Sequence, residues 1–251
     1  MPTLAVLLSG GLDSAVLLVE ACAAPIAQDR EPSSITDMVH PIYVSVGLAW
    51  EAAERRAVEL LLASGVCGGR VGPLVSLGVD MSDVYPATHW AREGRPPAYD
   101  TPDEDVYLVG RNIVLLGKAG VYCAGKRIDR LLQGTLGGNP FPDATPAFRQ
   151  AMARALALGL DIDLSIEAPY AELSKAEVIR RGIAAGVPLA LTLSCMCPGP
   201  FGPGEMPSHC GRCSKCRERH DAFVDAGLAD PTRYVSQAHV AANSGGASYD
   251  A

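Results

Sequence analysis

No stretch of this chain is apolar for anything near the ~20 residues needed to cross a bilayer, so no membrane span is expected. The opening Met1-Pro2-Thr3, followed by the short apolar run Leu4 to Leu8, has neither a basic n-region nor a long hydrophobic h-region. A secretory leader is therefore not expected, and a cytoplasmic location is. A cationic surplus is also missing: 21 Lys and Arg stand against 28 Asp and Glu, a formal net charge of −7. Proteins that grip a long nucleic-acid backbone present a basic face, and the one dense cationic stretch here is Lys215-Cys216-Arg217-Glu218-Arg219. DNA and tRNA are thus disfavoured as substrates. No internal repeat is visible, and no Ser/His/Asp or Cys/His grouping calls for nucleophilic catalysis. With no export signal, the eight cysteines point to metal or redox chemistry rather than to disulfides.

What is present suffices for a globular enzyme. The 251 residues, 48% hydrophobic and 20% charged, allow one α/β domain with an appendage, or two small domains. The 26 Gly and 19 Pro are spread along the chain and read as loops. Leu4–Leu8 has the composition of a buried parallel strand, Asp13–Ala24 of a helix, His40–Val46 of a strand and Ala49–Ser64 of an amphipathic helix. A third strand is expected over Arg70–Leu77. Asp80–Asp105 carries Pro86, Pro96, Pro97 and Pro102 without periodicity and reads as a long functional loop or lid. Helices are expected at Arg111–Ala124, Phe148–Leu158 and Ser174–Ala185, and strands at Arg130–Leu136 and Leu164–Ala168. Ser174 and Glu177 stand at the capping-box offset, and Gly186-Val187-Pro188 stops that helix. Strands alternating with helices imply a Rossmann-like parallel sheet with helices on both faces. Residues 1–193 form this domain, 194–232 a cysteine-rich module, and 233–251 a loosely ordered tail.

The turn between the first strand and helix reads Ser9-Gly10-Gly11-Leu12-Asp13-Ser14. Adjacent glycines let the backbone approach a ligand closely. The helix that follows aims free N–H groups and its positive dipole end at the turn, which makes an anion site. Ser9 and Ser14 add hydroxyl donors. Asp13 is unwelcome beside phosphate by charge alone, so it is expected to hold Mg²⁺ or to orient the loop through backbone N–H groups. The string, with Leu8 before it, resembles the PP-loop of the N-type ATP pyrophosphatases and lacks the Gly-Lys-Ser/Thr ending of a Walker loop. The resemblance implies cleavage of ATP between the α and β phosphates and transfer of AMP to a substrate oxygen.

Five of the eight cysteines fall in Cys195-Met196-Cys197 and Cys210-Gly211-Arg212-Cys213-Ser214-Lys215-Cys216. Three thiolates in close register plus one distant thiolate make a closed tetrahedral zinc site. The expected ligands are Cys195, Cys210, Cys213 and Cys216, with Cys197 a competing fourth and His209 a weaker one. An iron–sulfur cluster is the alternative; the ferredoxin run would place a Cys-Pro after three intervening residues beyond the third Cys, where His220 stands. Four thiolates leave no open position, so the metal is read as structural. Cys22, Cys67 and Cys123 read as core residues, and His40, His89 and His239 as structural or solvated.

Loop and module together resemble the 7-cyano-7-deazaguanine synthase family, ligases that turn 7-carboxy-7-deazaguanine into its nitrile. Five stretches carry the resemblance, in order: Leu7-Leu8-Ser9-Gly10-Gly11-Leu12-Asp13-Ser14; Val109-Gly110-Arg111-Asn112; Phe141-Pro142-Asp143; Lys175 to Arg180 with Gly186-Val187-Pro188; and Thr192-Leu193-Ser194-Cys195 with His209 to Cys216. The resemblance implies an adenine nucleotide alpha hydrolase-like fold with a small zinc-binding module. It also implies ATP, Mg²⁺ and structural Zn²⁺ as cofactors, and ammonia and a deazapurine as small-molecule partners. The carboxylate is adenylated and attacked by ammonia, and the amide oxygen is then activated a second time to leave the nitrile. A homodimer is left open. The chain departs from the family at Val46-Gly47-Leu48-Ala49-Trp50, where Tyr-Gly-Gln and a nearby His are usual. It departs again at Gly137 to Pro146, where a Tyr-Ser-Gly-Tyr run and Cys-Arg-Pro flank Pro-Asp.

The Gly-Arg-Asn match assigns Arg111 to phosphate or to the substrate carboxylate. Lys175 stands in the first turn of a helix, where a cation opposes the dipole; that oddity points to a phosphate partner. Phe141 can stack on a flat ring. Asp143 either binds a polar substrate edge or stabilises a turn. Two further readings stay open: a tRNA-thiolating PP-loop enzyme, which needs a sulfur-carrying cysteine or cluster and a basic tRNA face, and a nucleotide-binding module without turnover.

Overall fold

The computed structural model describes residues 4–24 and 38–237. The first strand, β1 (Leu4–Leu7), feeds helix α1 (Leu12–Ala23), and β2 (Val39–Ser45) feeds α2 (Glu51–Ala63). Strand β3 (Val75–Gly78) and the one-turn helix α3 (Trp90–Glu93) lead to α4 (Arg111–Lys126) and β4 (Arg130–Leu132). Helix α5 (Pro146–Leu160), β5 (Ser165–Glu167) and α6 (Lys175–Ala184) follow. The described chain ends with β6 (Ser208–His209), α7 (Ser214–Ala226) and β7 (Arg233–Tyr234). Among the described residues no helix is long and apolar enough to cross a membrane.

The first five strands pair in parallel in the order β3-β2-β1-β4-β5. Side chains alternate across a strand, and the two faces bury different partners. Val6, Leu8, Tyr43 and Leu132 pack with α1, α2, α6 and α7 around Leu17, Leu18, Val58, Ile179 and Phe223. Ala5, Ile42, Val44 and Leu131 face α4 and α5 around Leu116, Ala119 and Cys123. Helices thus cover both faces, as the alternating pattern predicts. The three core cysteines sit where that reading puts them: Cys22 and Cys67 in the first cluster, Cys123 in the second.

Strand order reverses between β1 and β4, and open α/β sheets take ligands in the crevice beyond the strand ends at such a switch point. The PP-loop follows β1, and the segment Gln133–Asp143 follows β4. Both border the same crevice.

Several boundaries differ from the expectation. β4 is three residues long because after Leu132 the chain leaves the sheet for the crevice, with Gln133 N–H still donating to the Glu167 carbonyl at 2.9 Å. β3 begins at Val75, with Val71 making one isolated bridge to Val39. α5 starts at Pro146 because Thr145 caps it, accepting from Phe148 N–H at 3.2 Å. The capping box of α6 is present: Ser174 Oγ accepts from Glu177 N–H and Glu177 accepts from Ser174 N–H at 2.7 Å.

The proline-rich stretch after β3 is a packed cover. Met81, Tyr85, Ala91 and Leu108 bury into a cluster with Trp50 and the cysteines 195, 210, 213 and 216. His89 caps α3, accepting from Ala91 N–H at 3.2 Å. The cover is tied to the cysteine module by an Ala98–Cys213 backbone bridge and an Arg217–Asp103 ion pair at 3.3 Å. The expected tail begins with structure: Arg233 and Tyr234 pair with Ser208 and His209. Residues beyond 237, His239 among them, lie outside the described set.

Candidate active site

Gly10 has φ of +79°, and a Cβ there would stand 2.8 Å from the Glu54 carbonyl oxygen, so the loop's approach to α2 requires glycine. Gly10→Ala is expected to cost about 2–3 kcal/mol. For a chain of this size that lowers Tm by about 5–10 °C, measurable by a thermal melt. The loop is cross-braced by its own hydroxyls. Ser14 Oγ accepts from Ser9 N–H at 3.3 Å and donates to the Gly11 carbonyl at 3.0 Å. Ser9 Oγ accepts from Gly11 N–H at 3.3 Å. Gly11 caps α1 without a side chain, so the first-turn N–H groups are left for a ligand.

Asp13 is placed differently from one of its two expectations. It makes no bond to a backbone N–H of the loop among the described residues. Its Oδ2 lies 3.4 Å from Lys175 Nζ, and its Oδ1 is buried with no partner. Burial pushes its carboxyl above the usual range, against the pull of Lys175. Lys175 also pairs with Glu218, and Glu218 takes Lys215 at 2.5 Å. Burial alone would favour the neutral forms. Between Lys175 and Glu218 the attraction wins, holding the Lys175 ammonium above its ordinary range and Glu218 down at about 2, whereas at Asp13 burial outweighs it. Lys175 therefore stands at the phosphate loop as a charged group with two acidic neighbours.

The loop opens onto a cavity of about 420 Å³ bordered by the ends of β1, β2 and β4. Gly134 lies against the start of α1: a Cβ there would stand 3.2 Å from Ser14 N. This sets the β4 segment beside the phosphate loop. Phe141 stacks on Tyr107, centroids 4.9 Å apart and planes 21° off parallel, and both rings line the cavity. Arg111 opens α4 and reaches the cavity with a buried Nε that has no hydrogen-bond partner. Asp143 is buried and occupied: it accepts from Asn112 N–H at 3.1 Å and Asn112 Nδ2 at 3.2 Å, capping α4 where Gly110 has no side chain to do so. Its structural role is thus built, although it borders the cavity.

Among the lining residues not singled out as site residues from sequence are Tyr43, Trp50, Glu54, Lys215 and Glu218. Glu54 is 8% exposed and accepts from Tyr43 Oη at 2.8 Å and Trp50 Nε1 at 3.1 Å. Burial pushes it up to about 7. A signal existed: Glu51 and Glu54 fall on the same helical stripe as Val58 and Leu61, and acids on a core stripe are seldom idle.

The sulfurs of Cys195, Cys210, Cys213 and Cys216 lie within 4.8 Å of one another, all four buried. Three separations are 3.9, 3.8 and 3.5 Å. A tetrahedron with Zn–S of about 2.3 Å has sulfur edges of about 3.8 Å, so the donor set fits a zinc ion. Backbone N–H groups of Cys197 and Cys210 point at Cys195 Sγ at 3.3 and 3.2 Å, and that of Arg212 at Cys210 Sγ at 3.3 Å. Such bonds stabilise thiolates. Cys197 lies outside the cluster, and His209 Nε2 is spent accepting from Ser194 N–H at 3.1 Å. The residue that leads into the module touches the phosphate loop: Leu193 N–H donates to the Gly10 carbonyl at 2.8 Å. Buried Arg219 of α7 donates to Thr192, Ser194 and the Leu189 carbonyl, fastening α7 to the same segment.

The queuosine biosynthesis protein QueC family model matches residues 96–227. The chain is 33% identical to a 7-cyano-7-deazaguanine synthase of Azoarcus sp. (strain BH72), over 94% of this chain and 99% of that one. It is 34% identical to that of Thiobacillus denitrificans (93% and 99%) and 30% identical to that of Caldicellulosiruptor bescii (91% and 96%). A phosphate-type loop at the switch point, a cysteine tetrad braced against it and near-full-length similarity converge: the chain belongs to the 7-cyano-7-deazaguanine synthase family.

Proposed function

We propose that this chain is an ATP-dependent carbon–nitrogen ligase. It adenylates the carboxylate of 7-carboxy-7-deazaguanine, condenses it with ammonia to the amide, and activates the amide oxygen a second time to give 7-cyano-7-deazaguanine, in queuosine-type deazapurine biosynthesis. The observation that carries the reading is the placement of Ser9–Ser14, Arg111 and Phe141 around one cavity at the β1/β4 switch point. AMP transfer requires the acceptor oxygen about 3 Å from the α-phosphate, and the loop after β4 runs beside the loop that would hold the phosphates. A cavity of about 420 Å³ suits a small molecule rather than a nucleic-acid strand.

The residues divide the work. Leu8 to Ser14 cradle the pyrophosphate, with first-turn N–H groups of α1 and the hydroxyls of Ser9 and Ser14 as donors. Lys175 and Lys215 offset the charge that builds on the departing pyrophosphate. The orphaned Asp13 Oδ1 is the atom fitted to hold Mg²⁺, which when bound neutralises phosphate charge. Arg111 Nε donates to the substrate carboxylate and keeps its oxygen aimed at the α-phosphorus. Phe141, backed by Tyr107, stacks on the heterocycle. An amide is a poor electrophile, so its oxygen must carry AMP before the C–O bond breaks; the same geometry serves both activations. The zinc held by Cys195, Cys210, Cys213 and Cys216 fixes the fold of residues 194–232 and, through Leu193 and Glu218, the back of the loop.

The test separates ring binding from activation. Phe141→Ala is expected to raise the KM for the deazapurine by about tenfold with the KM for ATP little changed. Arg111→Ala is expected to depress carboxylate activation more than amide activation, since only the carboxylate brings a full negative charge. Equal effects on both substrates of the reaction would contradict the assignment of these side chains.

A further inference from the structure

Glu54 and Arg111 border one cavity, attract each other, and yet form no ion pair among the described residues. Arg111 Nε is left without a partner. Each Glu54 oxygen holds one hydrogen bond, from Tyr43 Oη and from Trp50 Nε1, while a carboxylate oxygen has room for about two. Burying an unpaired carboxylate is costly, and an apolar residue at this position of α2 would pack without that cost. A held acceptor and a charged donor group thus border one cavity, which suits a group that presents an oxygen to one and a nitrogen to the other. An acyl carbon under attack by ammonia is such a group.

Resting on the ligase reading above, we propose that Glu54 is the proton acceptor for the nitrogen nucleophile, with Tyr43 and Trp50 as its positioning residues. Ammonium gives one proton to the Glu54 carboxylate. The freed nitrogen lone pair forms the C–N bond, and the C–O bond to AMP breaks with its electron pair going to the phosphate oxygen. The second N–H proton leaves on that phosphate, and the product is the amide plus AMP. Glu54 then returns its proton to solvent. In the second activation the adenylated amide carries two N–H protons: one leaves on the departing phosphate oxygen, the other goes to the same carboxylate, and the C–O bond to AMP breaks as the C≡N bond forms. The charged and titratable groups that face it are Tyr43 on β2, Glu51 on α2 and Arg111 on α4, and their balance suits a base. With burial outweighing the pull of Arg111, Glu54 sits at about 7, where a base both holds and releases a proton near neutrality.

Glu54→Gln tests this: its amide oxygen can still accept from Trp50 Nε1 and its NH₂ can donate to Tyr43 Oη, with that bond reversed, while the basic oxygen is lost. Three readings are taken. Carboxylate-dependent ATP–pyrophosphate exchange without ammonium reports activation alone. Amide formation with ammonium at pH 7 is expected to fall about 100-fold, far more than exchange falls. Hydroxylamine, largely unprotonated at pH 7, is expected to restore most of the loss. At fixed total ammonium the wild type should plateau above about pH 7. The variant should climb about tenfold per pH unit from pH 7, following free ammonia. Parallel loss of exchange and amide formation, or equal loss with both nucleophiles, overturns the proposal and makes Glu54 a structural acid. Absence of exchange in the wild type overturns instead the ligase reading on which it rests. A melt at pH 8 reads the fold: a raised carboxyl stabilises the folded state below about pH 4.5 and loses that advantage as pH rises through about 7. The variant should therefore melt no lower than the wild type at pH 8.

Discussion

Asp13→Ala should abolish substrate-dependent pyrophosphate release while the protein still melts cooperatively. Asp13 contributes little to the core. One oxygen is buried and unpartnered and the other meets Lys175 at 3.4 Å, so its removal leaves Lys175 bound to Glu218 and the fold's apolar contacts intact. What is lost is the candidate metal oxygen beside the phosphate cradle. Preorganised electrostatic contacts of this kind are worth about 10²–10³ in turnover each. Ser14→Ala should act in the same direction, because Ser14 Oγ braces Ser9 N–H and the Gly11 carbonyl and faces the cavity. Pyrophosphate release within a few-fold of wild type in Asp13→Ala would remove the loop from the chemistry.

The second large effect concerns the cysteine tetrad. The purified protein should carry one zinc per chain, and Cys213→Ser should give metal-poor, poorly soluble protein. The segment from Ser194 to His209 has little apolar material of its own, and its one strand, β6, pairs two residues with the two-residue β7. A zinc ion bound there would supply what the core does not: structural zinc binds finger peptides with about 10–16 kcal/mol of apparent free energy. The loss should spread to the phosphate loop, because Leu193 holds the Gly10 carbonyl and α7 carries the Glu218 that pairs with Lys175. Elemental analysis checks the claim directly. Iron with labile sulfide, or full zinc in a Cys213→Ser protein of unchanged melting temperature, would contradict it.

The sequence was most legible where a local run of residues carries its own physics. The Ser9–Ser14 turn, the Ser174/Glu177 capping box and the spacing of Cys210, Cys213 and Cys216 are such runs, and the structure has a tight loop, a closed cap and a thiol cluster there. The helix and strand order was readable from periodicity, and the parallel sheet followed from the alternation. Less legible were features set by packing between distant segments. The stretch Arg130–Leu136 looks like one strand, yet the chain leaves the sheet after Leu132 to border the cavity. The prolines of Asp80–Asp105 hid a cover buried against Trp50 and the cysteines. Lys175 was odd on its helix for a good reason, but its acidic partners, Asp13 and Glu218, lie 162 and 43 positions away. Asp143 read equally as a substrate-edge acid or a turn stabiliser, and only the fold brings Asn112 to it. Glu54 was concealed by its surroundings: in a helix with many charges, it took the burial pattern to separate a cavity acid from a solvated one.

The most direct test of the account is substrate-dependent pyrophosphate release with ATP, Mg²⁺, ammonium and 7-carboxy-7-deazaguanine, with the deazapurine followed by mass spectrometry. Release is expected with the carboxylate and with its amide, the amide appearing before the nitrile, and two ATP cleaved to AMP and pyrophosphate for each nitrile made. Failure of both the carboxylate and the amide to stimulate release, while another carboxylate or a tRNA does, would contradict it.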